Sequence, residues 1–203
     1  MSQSSFNLYI DASERRFTAA VSLDGKVESG RIDSPKRTLE DMLPLMAELC
    51  SRFDRKLKDL DGVYVTMGPG SNTGLRMAIT FARMIFSLSL GRTQIYGAST
   101  FDVLRAGSGL KDCLCLISDR HGEFFYAEYR YGKRVSTGKF KDFMDRPFKG
   151  LIPVFDSADL LAEKAFPEGV SLNLADALTK AEAYECYSPD RIQELKPIYS
   201  EKI

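Results

Sequence analysis

The chain has 203 residues with 28 basic and 28 acidic side chains, so its formal net charge is zero, and 44% of its residues are hydrophobic. This composition is typical of a soluble globular protein with one domain or two small lobes, and it excludes a protein that coats nucleic acid through its overall charge. The longest apolar stretch, residues 75–90, contains Arg76 and Arg83 and is too short to span a bilayer. No segment resembles a signal peptide, so we expect a cytoplasmic protein.

The first half of the chain predicts three strands followed by alternating helices and strands. Strands are predicted at residues 6–10, 17–23, 26–32, 62–67 and 94–97. Hydrophobic residues at helical spacing predict a helix over 39–53, started or kinked at Pro44, and a second helix over 75–90. A meander followed by helix-linked parallel strands is the order of a ribonuclease H-like lobe.

A similar meander-first order recurs from Lys111 onward. Strands are predicted at 113–118, 123–131, 135–140 and 151–155, and helices at 157–165 and 174–184. We therefore expect an α/β protein with two ribonuclease H-like lobes. The first lobe is predicted at residues 1–107, a smaller second lobe at 108–190, and a short tail that folds back on the first lobe at 191–203.

A glycine-rich turn, Gly68–Gly74, joins a predicted strand to the helix over 75–90. Its spacing fits neither the phosphate loop of nucleoside triphosphatases nor the dinucleotide fingerprint. Ser71, Asn72 or Thr73 can cap the helix, and the free N–H groups of its first turn could hold an anion. A structural strand-to-helix turn is favoured on physical grounds, with the anion site as the alternative.

Several kinds of catalytic site are excluded by residue type. A catalytic site in which a histidine activates a serine or cysteine nucleophile would have to use His121, the only histidine. His121 is more easily explained as part of a polar turn. The four cysteines are not spaced as zinc ligands, and we expect free buried thiols. We predict no metal and no cofactor.

Five segments together resemble a known family. They are Asp11–Glu14, Met42–Leu45, Gly68–Arg76 (GPGSNTGLR), Asp119–Phe125 and Lys196–Tyr199. In this order they resemble the bacterial TsaB (YeaZ) family. The resemblance implies a two-lobed fold of the actin/Hsp70/sugar-kinase type and a role in making threonylcarbamoyladenosine, at adenosine 37 of ANN-decoding tRNAs. It also implies a non-catalytic subunit that binds TsaD, the transferase, with the ATPase TsaE as a third component, and that pairs with a second copy when TsaD is absent.

The resemblance also defines a possible anion or nucleotide loop. In kinases of this fold the phosphates lie between two hairpin loops, and Asp11 and Ser13 match part of the first loop. The candidate residues are Asp11, Ser13, Gly68, Gly70, Ser71, Thr73, Gly74 and Arg76.

The helix over 75–90 predicts a partner surface. Its polar residues form one narrow stripe, which leaves an apolar arc wider than one sheet can cover. The excess is covered by the helix over 39–53, by a second protein, or by both. The resemblance favours a partner, because helices of this region pair with TsaD in the family. The predicted interface residues are Met42, Leu43, Met46, Leu75, Ala78, Ile79, Ala82 and Ile85.

Two alternatives remain open. One is a small-molecule kinase or ATPase that uses Asp11 and the glycine-rich turn. The other is direct tRNA binding through the basic stretch Arg130–Lys149, in which aromatic residues are interleaved. A solvated edge hairpin explains the same stretch without RNA, and any tRNA contact of the chain is then indirect.

Overall fold

The computed structural model describes residues 5–13, 16–33, 38–119, 121–141 and 150–199. The strands are β1 (Asn7–Asp11), β2 (Phe17–Leu23), β3 (Lys26–Ile32), β4 (Gly62–Thr66), β5 (Gln94–Ala98), β6 (Cys113–Ser118), β7 (Phe124–Arg130), β8 (Lys133–Phe140), β9 (Ile152–Asp156), β10 (Val170–Leu172) and β11 (Glu185–Tyr187). The helices are α1 (Thr38–Ser51), α2 (Asn72–Leu88), α3 (Thr100–Ser108), α4 (Leu160–Ala165) and α5 (Leu174–Lys180), with 3-10 turns at Leu57–Asp59 and Ile192–Glu194.

Two sheets repeat one topology within the described part of the chain. The first has the order β11-β5-β4-β1-β2-β3, and the second has the order β10-β9-β6-β7-β8. In each sheet an antiparallel meander is joined through its first strand to parallel strands, β4 and β5 in the first sheet and β9 and β10 in the second. The predicted fold class, two ribonuclease H-like lobes of the actin/Hsp70/sugar-kinase type with a reduced second lobe, is confirmed.

Local chemistry accounts for most of the element ends. Asp24 and Gly25 have φ values of 52° and 80°, which suits the two-residue turn between β2 and β3. The Ser71 hydroxyl accepts from the N–H of Gly74, so α2 begins at Asn72, earlier than the apolar pattern predicted. Pro44 lies inside α1 and does not start it, because the helix begins at Thr38.

The predicted lobe boundaries differ from the observed elements at two places. Gly107 lies inside α3, a helix that the sequence analysis did not predict. The predicted helix over 174–184 ends at Lys180, and the chain then returns to the first lobe, where β11 pairs antiparallel with the otherwise free edge of β5. Glu185–Tyr187 therefore belong to the first sheet, although they fall in the predicted range of the second lobe.

Three groups of buried residues form the core. One lies between the first sheet and the helices α1 and α2, and it includes Ile192 and Leu195 from the tail. The second lies between the lobes, where α3 and α5 pack against the opposite face of the first sheet and against β6 and β7. The third lies beneath α4. The shared middle core holds the lobes together and leaves a cleft at the carboxyl ends of the parallel strands.

Candidate functional site

The carboxyl ends of the strands in the first sheet carry a row of buried polar side chains. Asp11 ends β1, Thr66 ends β4, and Thr18 lies opposite Asp11 on β2. Thr66 Oγ1 donates to Asp11 Oδ1, while the backbone N–H and the hydroxyl of Ser13 donate to Asp11 Oδ2 at 3.2 and 3.0 Å. Ligands of open α/β sheets bind at this kind of edge. Here, however, both carboxylate oxygens already have partners within the chain.

Burial sets the protonation of Asp11. It raises the pKa of Asp11 from 3.8 to about 6, while the hydrogen bonds from Thr66 and Ser13 act in the opposite direction. The carboxyl of Asp156, which ends β9 in the second lobe, raises the pKa of Asp11 further, and burial also raises the pKa of Asp156. Two acidic groups, one from each lobe, therefore interact across the lobe boundary.

A polar cleft of about 350 Å³ lies beside this row, where β2 and β3 meet the second lobe. Thr18, Arg31 and Asp33 line it from the first lobe, and Asp156 lines it from the second. Arg31 Nε lies 2.8 Å from Asp33 Oδ1, and Arg16 Nε lies 3.2 Å from the same oxygen. Arg31 and Asp33, which line the cleft from the first lobe, are thus already paired with one another.

The glycine-rich turn packs against the loop that follows β1. A Cβ on Gly70 would collide with the carbonyl oxygen of Ser13, and a Cβ on Gly74 would collide with that of Ala12. The Ser71 N–H donates to Ser13 O at 2.5 Å. The glycines therefore allow two backbone segments to touch, which favours the structural alternative of a strand-to-helix turn. Anion binding at this turn stays a prediction.

The other candidates for the anion loop lie at its border. Thr73 is exposed on the first turn of α2, and the backbone of Gly68 lies against Ile198 O in the tail. Arg76 is also exposed, and its Nε donates to the hydroxyl of Tyr199 at 3.0 Å. The glycine-rich turn thus lies against the loop that follows Asp11, whereas the side chain of Arg76 is hydrogen-bonded to the tail.

Seven of the eight predicted interface residues lie in the chain's own core. Leu43 is the exception and is 45% exposed. The buried residues are Met42, Met46, Leu75, Ala78, Ile79, Ala82 and Ile85. The premise that the molecule cannot cover the apolar arc of α2 is wrong for these residues. The arc is covered from several sides at once, by β1, β4, β5, the 3-10 turn at Leu57–Asp59 and the buried tail residues.

Other apolar residues on the same side of the sheet remain exposed. Met84 is 41% exposed, Leu88 is 72% exposed and Leu90 is 89% exposed. Leu43 is exposed on α1, and α1 and α2 pack on the same side of the first sheet and both contact the turn at Leu57–Asp59. We call Leu43, Met84, Leu88 and Leu90 the exposed helical face. The sequence analysis missed Met84, Leu88 and Leu90 as candidates, because periodicity alone does not show which part of a wide apolar arc stays uncovered.

The described part of the basic stretch, residues 130–141, belongs mainly to the β7–β8 hairpin, with β8 at the edge of the second sheet. Three of its cations are paired: Arg130 with Glu128 at 2.8 Å, Arg134 with Asp102 at 3.5 Å and Lys139 with Glu123 at 3.6 Å. Arg146 and Lys149 of the predicted patch lie outside the described residues. The hairpin is therefore less positive than its sequence suggests.

The described residues contain no group of three or more histidine, cysteine or acidic side chains placed to hold a metal ion. Cys50, Cys113 and Cys115 are free and buried, as predicted, whereas Cys186 is exposed because β11 is an edge strand. In the described part of the chain, no helix combines the length and the apolar character that crossing a membrane would require.

Comparison with known proteins gives consistent results. The family model described as "TsaD: tRNA N6-adenosine threonylcarbamoyltransferase" matches residues 34–184, about three quarters of the chain. The protein "tRNA threonylcarbamoyladenosine biosynthesis protein TsaB" of Escherichia coli (strain K12) is 29% identical over 128 residues, which cover 61% of this chain and 54% of that protein. The protein of the same name from Buchnera aphidicola subsp. Schizaphis graminum (strain Sg) is 29% identical over 126 residues, 60% of this chain and 59% of that protein. The chain thus matches little more than half of the length of these relatives.

A solved structure supports the same fold over nearly the whole chain. YeaZ from Pseudomonas aeruginosa superposes with a TM-score of 0.70 at 17% identity, covering 96% of this chain and 99% of that one. Identity this low shows the fold alone. The chain belongs to the family whose model is described as TsaD: tRNA N6-adenosine threonylcarbamoyltransferase, and the proteins that it resembles within that fold are TsaB and YeaZ, as the sequence motifs predicted.

Proposed function

We propose that the chain is a non-catalytic scaffolding subunit in the threonylcarbamoyladenosine modification of tRNA. In this role it binds and activates a TsaD-like threonylcarbamoyltransferase, with a TsaE-like ATPase as a further component. The names of the two relatives support the pathway. The observation that carries the binding role is the exposed helical face, Leu43, Met84, Leu88 and Leu90, because Leu88 and Leu90 are among the most exposed large hydrophobic residues of the described chain.

The exposed helical face has the properties of a protein-binding surface. Full burial of one large aliphatic side chain contributes about 1.5–3 kcal/mol, so a partner that covers the face gains several kcal/mol. Leu90 has a φ of 54°, a conformation that bulky residues rarely adopt, and it is also almost fully exposed. Neither folding nor solubility favours leucine at this position, which supports a binding role. In the absence of a TsaD-like chain, the same face can pair with a second copy.

The state of the cleft supports a non-catalytic role. Asp11, the acidic group on which the kinase or ATPase alternative depends, has both carboxylate oxygens occupied by Thr66 and Ser13. The glycine-rich turn is filled by the backbone of the loop after β1. A nucleotide would have to displace these contacts before it could be held there.

Co-expression with a TsaD-like chain tests the proposal. Leu88→Glu places a carboxylate on the exposed helical face, and we expect co-purification to fall by about tenfold or more, because burying an unpaired charge costs several kcal/mol. Leu160→Glu is the matched control: Leu160 is 67% exposed, compared with 72% for Leu88, but lies on α4 of the second lobe. The control should bind like the wild type.

Three other results would contradict or change the proposal. Wild-type chain that forms no complex contradicts the scaffold role. Equal binding by Leu88→Glu and Leu160→Glu contradicts the assignment of the surface. Nucleotide turnover by the isolated chain that Asp11→Ala abolishes would favour the enzyme alternative. Ala82→Glu, a change suggested by the sequence alone, is unsuitable because Ala82 is fully buried and the variant would not fold.

A further inference from the structure

Two of the most exposed hydrophobic side chains in the described chain also have unfavourable backbone conformations. Leu90 is 89% exposed with a φ of 54°, and Tyr131 is 86% exposed with a φ of 52°. The other non-glycine residues with positive φ are Asp24 and Asp54, a residue type that tolerates this conformation. Leu90 belongs to the exposed helical face, whereas Tyr131 lies on the other lobe and is not explained by the proposed function.

The other hairpin of the chain shows which residue type this turn normally contains. The β2–β3 hairpin turns at Asp24–Gly25 with φ values of 52° and 80°, and the β7–β8 hairpin turns at Tyr131–Gly132 with φ values of 52° and 75°. Two-residue turns of this type favour Asn-Gly or Asp-Gly. Tyrosine at this position is unfavourable for the backbone and gains almost no burial. Such a violation of local rules is expected at functional positions.

The turn holds Tyr131 firmly. The Tyr131 N–H donates to Asp112 Oδ1 at 2.6 Å, and the Gly132 N–H donates to Lys111 O at 2.8 Å. Both bonds tie the tip of the hairpin to the segment that enters β6. The aromatic ring is therefore displayed in solvent from a fixed backbone, which lowers the entropy lost when a ligand stacks on it.

Three basic residues lie at or near the turn, together with Asp112, and the guanidinium of Arg105 lies over the Tyr129 ring at 5.8 Å from its centre. Lys133 follows the turn, Lys111 bonds to it, and Arg105 Nη1 lies 3.9 Å from the position of a Cβ on Gly132. Across the described ranges, none of these three cations forms an ion pair, whereas Arg130 and Arg134 on the same hairpin are paired. We call Arg105, Lys111, Tyr131 and Lys133 the hairpin tip.

We propose that the hairpin tip binds single-stranded RNA, with one base stacked on Tyr131 and neighbouring phosphates held by Arg105, Lys111 and Lys133. Stacking on an exposed aromatic ring combined with cations for the backbone is how proteins hold unpaired nucleotides. An acidic peptide would use the cations but would not require the ring. The choice of RNA as the polyanion rests on the proposed function, in which the modified substrate is a tRNA with unpaired loops.

Fluorescence polarisation with the full chain and labelled RNA tests this inference. The probes are a single-stranded oligoribonucleotide, a tRNA transcript, an RNA duplex of the same length as the single strand, and poly-glutamate as an acidic peptide. Tyr131→Phe keeps the ring and should bind the single strand like the wild type. Tyr131→Asn removes the ring and restores the residue that the turn favours, so it should melt no lower than the wild type. It should bind about 5- to 150-fold more weakly, since stacking contributes about 1–3 kcal/mol per base.

Charge variants test the phosphate contacts separately. Lys111→Gln with Lys133→Gln should lower the slope of log affinity against log salt by about 1.4, because each single-strand phosphate contact contributes about 0.7. Lys26→Gln is the matched control, because Lys26 follows the turn of the other hairpin as Lys133 follows this one. That control should keep the wild-type slope.

The inference is overturned if Tyr131→Asn binds the single strand as tightly as Tyr131→Phe, both as the isolated chain and in the co-purified complex. It is also overturned if duplex RNA or poly-glutamate shows the same dependence on Tyr131. Co-purification of Tyr131→Asn with the TsaD-like chain separates the two proposals. Loss of RNA binding with an intact complex supports the hairpin tip, whereas failure of the wild-type chain to form a complex contradicts only the scaffold role.

Discussion

Asp11 is a single carboxyl group on which the alternative functions of the chain depend. It lies where a kinase of this fold would need a free acidic group, yet Thr66 and Ser13 occupy both of its oxygens. Its burial raises its pKa to about 6, and the nearby carboxyl of Asp156 acts in the same direction. In this chain Asp11 therefore acts as a structural acceptor that joins β1 to β4 and to the loop after β1.

Replacement of Asp11 by asparagine tests this role through pH. The pKa of Asp11 is about 6 in the folded chain against an ordinary value of 3.8, so between these values the folded state keeps a proton that the unfolded state releases. The free energy of unfolding then falls as pH rises through this window. Asp11→Asn removes this dependence, so its stability relative to the wild type should rise by about 2 kcal/mol from about pH 4 to about pH 7.

Urea unfolding at the two pH values measures the difference. Asp24→Asn, at an exposed turn, is the control and should follow the pH dependence of the wild type. If Asp11→Asn loses as much stability as the wild type on going to neutral pH, the burial of an ionisable Asp11 is not the cause.

At the scale of elements, α2 has three sides with different contacts. Its apolar side, including Leu75 and Ile79, packs on the first sheet. The polar stripe holds the tail, since Arg83 donates to Leu195 O at 2.7 Å. The remaining side carries Met84 and Leu88 and stays exposed. The polar stripe was predicted, but its partner was not, because the tail lies more than 100 residues away in sequence.

The close packing of the glycines in the turn before α2 can be tested by substitution. Gly74→Ala would place a Cβ against the carbonyl oxygen of Ala12, a backbone atom that cannot rotate away. We expect a loss of about 1–3 kcal/mol in the free energy of unfolding, or more if the turn has to shift. Thr73→Ala, at the exposed neighbouring position, should change it by no more than about 0.5 kcal/mol. Equal stability of the two variants in urea unfolding would mean that the turn does not touch the loop after β1.

On the scale of the whole molecule, the first and the last described segments both lie in the first lobe. β11 extends the first sheet, Ile192 and Leu195 enter its core, and the N–H of Ile198 donates to Met67 O at 2.6 Å. The sequence analysis predicted that the tail folds back on the first lobe, and these contacts confirm it. The tail thus covers one side of α2 and leaves the exposed helical face uncovered.

Leucine-to-alanine variants test the contribution of the tail to the fold. Leu195 is fully buried, so Leu195→Ala should lower the free energy of unfolding by about 2–5 kcal/mol. Leu88→Ala is the control: with 72% of Leu88 exposed, its loss should change the free energy of unfolding by no more than about 0.5 kcal/mol. A native-like denaturation midpoint for Leu195→Ala would show that the tail is not part of the cooperative fold.

Most helices and strands were predicted, including short ones such as β1, β9 and α4, but α3, β10 and β11 were not. The alternating and helical patterns of β1 to β8 and α1 to α2 are properties of neighbouring residues, so their order could be predicted before the fold was known. The helix α3 and the strands β10 and β11 have nine residues or fewer, and each forms because a distant element is there to pair or pack with it. The same limit explains the error at Cys186, whose exposure depends on which strand is at the edge.

The sequence by itself determined the order of the main elements, a helix cap within residues 71–73, the repeated meander and the motifs that indicate the family, because all of these depend on residues close together in the chain. Only the tertiary structure decided which apolar residues are left for a partner, why the glycines of the turn are needed, and that Tyr131 is displayed in solvent. Exposure is the surface that remains after every other segment has packed, so it depends on contacts between residues far apart in sequence.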